Sequence, residues 1–169
     1  MKFDKFLIAV SLSVGILAGL FQLAFVLYDQ SSATFNLTGL VVAGFLGWAT
    51  FYAAGAGKDG LTKGIPANLS GVLWAVVIVL IWDKVFGFNT VGAFVAVAIG
   101  AGMMCFQAHI KWFGFIPGAF IGCSTFFALG AQINGDVLFP TIIGLLLGLV
   151  LGYVSEQGAL LFKSKVLEK

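Results

Sequence analysis

Charged residues fall in short clusters along the chain, and the stretches between them are apolar over about 17 to 25 residues, the length of a membrane-crossing helix. Six such stretches follow one another, at 6–28, 36–55, 64–82, 90–107, 112–132 and 137–162. The first five hold no Asp, Glu, Lys or Arg, and the sixth holds only Glu156, near its end. The pattern predicts an all-α fold: one polytopic domain over 1–169 with six transmembrane helices. The last stretch is long enough that it should tilt or run past the bilayer.

Composition points the same way. Hydrophobic residues make up 60% of the chain and charged residues 9%, whereas a water-facing surface calls for about a quarter of residues to be charged. Lipid removes that requirement. There is no arginine, and in a six-span layout every lysine except Lys84 falls on one side. By the positive-inside rule that side is cytoplasmic and carries both termini, and Asp29, Asp83 and Asp136 lie outside. This is the layout of a multi-pass protein of the bacterial inner membrane. The net charge of +2 is then explained by topology and anionic lipid, with no nucleic-acid partner. The first apolar run exceeds the core of a cleaved signal peptide, so it reads as a retained helix. Cys105 and Cys123 both fall inside predicted spans, where a disulfide is not expected.

Two pairs of segments begin alike. Phe35-Asn36-x-x-Gly39-x-x-Val42-Ala43-x-x-x-Gly47 matches Phe88-Asn89-x-x-Gly92-x-x-Val95-Ala96-x-x-x-Gly100, and Ile65-Pro66-x-x-x-x-Gly71 matches Ile116-Pro117-x-x-x-x-Gly122. The spacings suggest a two-helix unit repeated three times, at about 1–55, 58–107 and 112–162. Gly15 and Gly19, Gly118 and Gly122, and Gly144, Gly148 and Gly152 extend the pattern. Small residues four apart give a smooth helix face on which a neighbouring backbone packs closely. Three parallel hairpins imply a pseudo-threefold axis along the membrane normal, unlike the inverted three-helix halves of many transporters. Pro66 and Pro117 are expected at helix starts.

The segment Phe115-Ile116-Pro117-Gly118-Ala119-Phe120-Ile121-Gly122-Cys123, within the six-span layout, resembles a family of small bacterial inner-membrane proteins known as domain of unknown function 1097. That resemblance brings no activity with it. In architecture alone, three hairpins around a path are similar to the urea and amide channels, which assemble as rings of six. This implies a homo-oligomeric ring, by analogy a hexamer. The acid gating of such channels is not carried over, because the single histidine, His109, falls on the cytoplasmic side.

No catalytic constellation, metal-ligand set or cofactor motif stands out, so an enzyme is not expected. His109 and Cys105 could share a helix face, but two ligands do not make a metal site. The uncharged polar residues inside the spans are the candidate lining of a path: Gln22, Asn68, Trp74 and Thr125 near the middle, with Trp48, Tyr52 and Gln107 towards the cytoplasmic end. The same residues could instead tie helices together or anchor interfaces. Glu156 could face a vestibule or the headgroups. Ion-coupled carriers usually need an ionisable group within the membrane, and none lies centrally in any span. The expected function is therefore a channel or facilitator for a small uncharged solute of urea or short-amide size. A proton- or ion-coupled transporter and a non-transporting scaffold or accessory subunit are the alternatives.

Overall fold

The computed structural model describes residues 4–29 and 37–167, which form six α-helices. They are α1 (Lys5–Asp29), α2 (Leu37–Ala53), α3 (Gly57–Leu80), α4 (Thr90–Phe106), α5 (Ile116–Ala128) and α6 (Gly135–Phe162). A π-helical turn, Ile81–Val85, prolongs α3, and two 3-10 turns, Gln107–His109 and Lys111–Phe113, lead from α4 towards α5. Among the described residues, α1, α3 and α6, and α4 together with its 3-10 turn (Thr90–His109), are long and apolar enough to cross a membrane, and the described parts of α2 and α5 are shorter than these spans. At 1.5 Å per residue, the 13 residues of α5 rise only about 20 Å, against a hydrocarbon core of about 30 Å.

Local chemistry sets several helix ends. Asn89 caps α4 by accepting from the Gly92 amide at 2.7 Å, and Asn134 caps α6 by accepting from Val137 at 3.1 Å. Pro117 stands in the first turn of α5, as expected, where its missing N–H costs nothing. Pro66 does not start a helix. It lies inside α3, which begins at Gly57 directly after the α2 turn. The helix begins ahead of the apolar stretch and runs through Lys58, Asp59 and Lys63 before reaching it. Asp59 and Lys63 pair one turn apart at 2.6 Å.

The helix pairing does not follow three hairpins. The most extensive pairs are α2 with α6 and α3 with α5, followed by α1 with α6 and α3 with α4. A threefold rotation would carry α2–α6 onto α4–α2 and α6–α4, and neither forms an extensive contact. Exchanging the first three helices with the last three instead carries α2–α6 onto α5–α3, and α1–α6 onto α4–α3. The two short helices, α2 and α5, are counterparts in that exchange.

The sequence carries the same relation. Thr50-Phe51-x-Ala53-x-Gly55-Ala56 recurs 75 residues on as Thr125-Phe126-x-Ala128-x-Gly130-Ala131. Both segments close their helix with one turn. Gly55 and Gly130 sit at φ 110° and 109°, and Ala56 and Ala131 at φ 56° and 54°. The Ala56 amide donates to the Phe51 carbonyl and the Ala131 amide to the Phe126 carbonyl, each at 3.0 Å. Phe51 and Phe126 are both fully buried.

Glycines let the principal pairs pack backbone to backbone. Between α2 and α6, a methyl group on Gly47 would collide with the Leu145 carbonyl, and one on Gly148 with the Gly44 carbonyl. Between α3 and α5, Gly71 meets the Ala119 carbonyl and Gly122 the Asn68 carbonyl in the same way. Gly144 against Ala43 and Gly152 against Phe51 continue the first crossing, and Gly118 against Ala67 continues the second. The contacts climb together along each pair, so both pairs are parallel. Gly92 and Gly100 pack against Phe86 and Ile78, and Gly39 is buried. A methyl group on Gly15 or Gly19 would meet nothing within 4 Å, so that strip on α1 packs against no helix among the described residues. Phe35 and Asn36, the start of the hairpin match, lie outside the described residues.

Two compact groups result: α1, α2 and α6 form one body, and α3, α4 and α5 form the other. Each body takes helices from both halves of the sequence. They meet along a seam formed by α2, α3, α5 and α6.

Candidate functional site

The uncharged polar residues separate into three places and do not form one ring. In the first body, Ser155 gathers a knot at α6. Trp48 Nε1 donates to Ser155 Oγ at 3.1 Å, and the Tyr52 hydroxyl lies 2.9 Å from the same oxygen. Ser155 Oγ donates in turn to the Gly152 carbonyl at 2.7 Å, and Ser13 Oγ from α1 donates to the Ser155 carbonyl at 2.7 Å. In the second body, Trp74 Nε1 donates to Gln107 Oε1 at 2.9 Å, and Gln107 Nε2 donates to Ser70 Oγ at 3.0 Å. Trp48, Tyr52, Trp74 and Gln107 therefore act as the ties between helices that their residue types also allow.

The third place is the seam. Thr50 on α2 and Asn68 on α3 are both fully buried, and Thr50 Oγ1 stands 3.2 Å from Asn68 Oδ1. Thr50 Oγ1 also stands 2.9 Å from the Leu46 carbonyl, which takes its single proton as Ile121 takes that of Thr125, and whichever way the Asn68 amide is turned, only one of its two ends reaches Thr50. The other end has no hydrogen-bond partner among the described residues. A buried amide left half-bonded costs about 1–3 kcal/mol. The position that corresponds to Asn68 in the other half is Leu145, fully buried and on the same side of an equivalent glycine crossing. Close packing at this crossing therefore does not need an amide.

Thr125 is the counterpart of Thr50. It is fully buried and donates to the Ile121 carbonyl at 2.7 Å, as Thr50 donates to Leu46. It reaches the seam from the opposite end. Gln22 does not join the set: it is exposed on α1, away from the seam. Glu156 makes a contact between helices. Its Oε2 accepts from the Gly57 amide at 2.8 Å and fastens the start of α3 to α6. His109 Nδ1 lies 2.7 Å from the Phe106 carbonyl, at the helix end.

Sequence reasoning missed Thr50 and Ser155. The signal for Thr50 was the Thr-Phe-x-Ala-x-Gly-Ala recurrence, which sets it beside Thr125. Ser155 carried no signal, because it matches Ile78 in the other half and gains its partners only from helix packing.

Residues 11–160 match the family described as protein of unknown function (DUF1097). The chain belongs to this family. It is 36% identical to the uncharacterized protein YahC of Escherichia coli K12 over 90% of both chains. It is 33% identical to the inner membrane protein YcdZ of the same strain, over 91% of this chain and 86% of that one. It is 31% identical to YcdZ of Salmonella typhimurium LT2, over 94% and 91%. No solved structure matches. With its apolar helices, this kinship makes the chain a protein of the inner membrane.

Proposed function

We propose that the protein is a facilitator for a small uncharged solute, which crosses between the two three-helix bodies at Thr50 and Asn68. The observation that carries this is the half-bonded Asn68 amide, buried at the seam where its counterpart is leucine. Buried polar groups are nearly always satisfied, and an exception calls for an explanation. A buried amide with one end spare beside a hydroxyl suits a small solute that both donates and accepts hydrogen bonds, of urea or short-amide size. No ionisable side chain stands beside it, which favours uncoupled passage over ion-driven transport.

All six helices cross the bilayer in this reading, and both termini are cytoplasmic. The parallel course of α2 with α6, and of α3 with α5, supports it, since alternate crossings run in the same direction. Halves of three helices are then inverted in the membrane, with the candidate site at their interface, as in many carriers. Thr50 and Asn68 are both fully buried, so the seam is closed in this conformation and passage requires the two bodies to shift against each other. The outward Gly15–Gly19 strip gives copies of the chain a surface for packing into a homo-oligomer.

Shrink–swell measurements on proteoliposomes test the proposal. Urea, formamide and acetamide should pass faster than through protein-free liposomes, with no response to a proton gradient. Passage that collapses with the gradient would indicate a coupled transporter. No passage of any solute would favour a membrane scaffold with a permanently closed seam.

A further inference from the structure

A second feature lies away from the seam, on the lipid-facing side of the second body. α3 and α4 splay apart there and leave a groove of about 670 Å³. Its walls are apolar, with Leu73, Phe106 and Ile110 all more than half exposed, and the bonded Trp74–Gln107–Ser70 set lies at its base. Ile65 and Pro66 line both this groove and a shallower cleft of about 350 Å³ bounded by Thr62 and Trp112. Lys63, one turn before Pro66, and Lys111, next to Ile110, line a separate neighbouring cleft of about 360 Å³ with Ala54, Gly114 and Phe115. Lys63 is paired with Asp59, and Lys111 forms no ion pair among the described residues, so the cleft keeps a net positive charge.

We infer that this surface holds one anionic phospholipid, with an acyl chain in the α3–α4 groove and the phosphate at Lys63 and Lys111. A long apolar trough that opens sideways fits a hydrocarbon chain, and water would gain nothing from its walls. Two lysines in the neighbouring cleft, on the residues that adjoin the groove lining in sequence, complement a headgroup that carries net negative charge. Trp112, 66% exposed beside Lys111, sits where indole rings prefer to lie, at the level of the headgroups. The inference is independent of solute passage, because it needs only that the groove face lipid.

Native mass spectrometry of the protein in detergent, titrated with phosphatidylglycerol or phosphatidylethanolamine, tests it. The unaltered protein should retain one phosphatidylglycerol with roughly tenfold or greater preference over phosphatidylethanolamine. Lys63→Gln combined with Lys111→Gln should remove the preference while the protein stays folded and monodisperse. Leu73→Trp, which narrows the trough and leaves both lysines in place, should weaken retention of either lipid. Equal retention of the two lipids by the unaltered protein would overturn the inference, as would an undiminished preference in the double variant. So would a dimer that forms through this face and excludes lipid.

Discussion

Thr50 Oγ1 and Asn68 Oδ1 stand 3.2 Å apart across the seam between two three-helix bodies, and the other end of the Asn68 amide has no partner. Their counterparts, Thr125 and Leu145, make no such polar pair. The seam therefore departs from its own internal symmetry at one buried place.

The glycine crossings should be the least tolerant positions in the chain. Gly148→Ala and Gly71→Ala each put a methyl group against a backbone carbonyl that has no room to yield. Each should destabilise the protein by about 1–3 kcal/mol, the usual effect of overpacking. Gly102→Ala, which meets open space on α4, should cost nothing and gain up to about 1 kcal/mol of helix propensity. Thermal unfolding in detergent, followed by tryptophan fluorescence, would show the contrast.

The paired turns give a prediction of opposite sign. Ala56 and Ala131 hold left-handed backbone angles that glycine adopts without strain. Ala56→Gly and Ala131→Gly should each stabilise the protein by roughly 0.5–1 kcal/mol in the same unfolding measurement. A loss of stability in either variant would mean that the turn is not as described.

Inverted halves require the two turns to lie on opposite faces of the membrane. A cysteine introduced at Lys58, beside the first turn, should resist an impermeant thiol reagent on intact spheroplasts. Cysteines at Gln132, beside the second turn, and at Asp83 should react. Background labelling is set by a variant that lacks Cys105 and Cys123. Labelling of both turns from the same side would contradict the inversion.

Much of this was legible in the chain. Apolar stretches bounded by lysines marked the six helices, because lipid selects strongly on side-chain polarity. The small-residue spacing located Gly47, Gly71, Gly122 and Gly148 as packing positions. The repeat was read with the wrong period. Asn89 opens α4 as a cap and Pro117 stands in the first turn of α5, roles set by local chemistry and not by fold symmetry, whereas Ile65 and Pro66 lie inside α3. The Thr50–Ala56 and Thr125–Ala131 match includes a buried phenylalanine and a left-handed turn, which tertiary structure constrains. The candidate site was half legible. Asn68 and Thr125 stood out as polar residues in apolar helices, but Trp74 and Gln107 are occupied with each other. Only packing could show which polar groups had found partners.

The most direct test of the account is solute flux through Asn68→Leu, which gives the seam the residue its counterpart already has. Stopped-flow shrinkage of proteoliposomes would compare the unaltered protein, the variant and empty vesicles. The variant should be at least as stable as the unaltered protein, since an unsatisfied amide is replaced by an apolar side chain. Its urea or short-amide flux should fall to that of empty vesicles. A stable Asn68→Leu protein that passes these solutes at the unaltered rate would contradict passage at the seam.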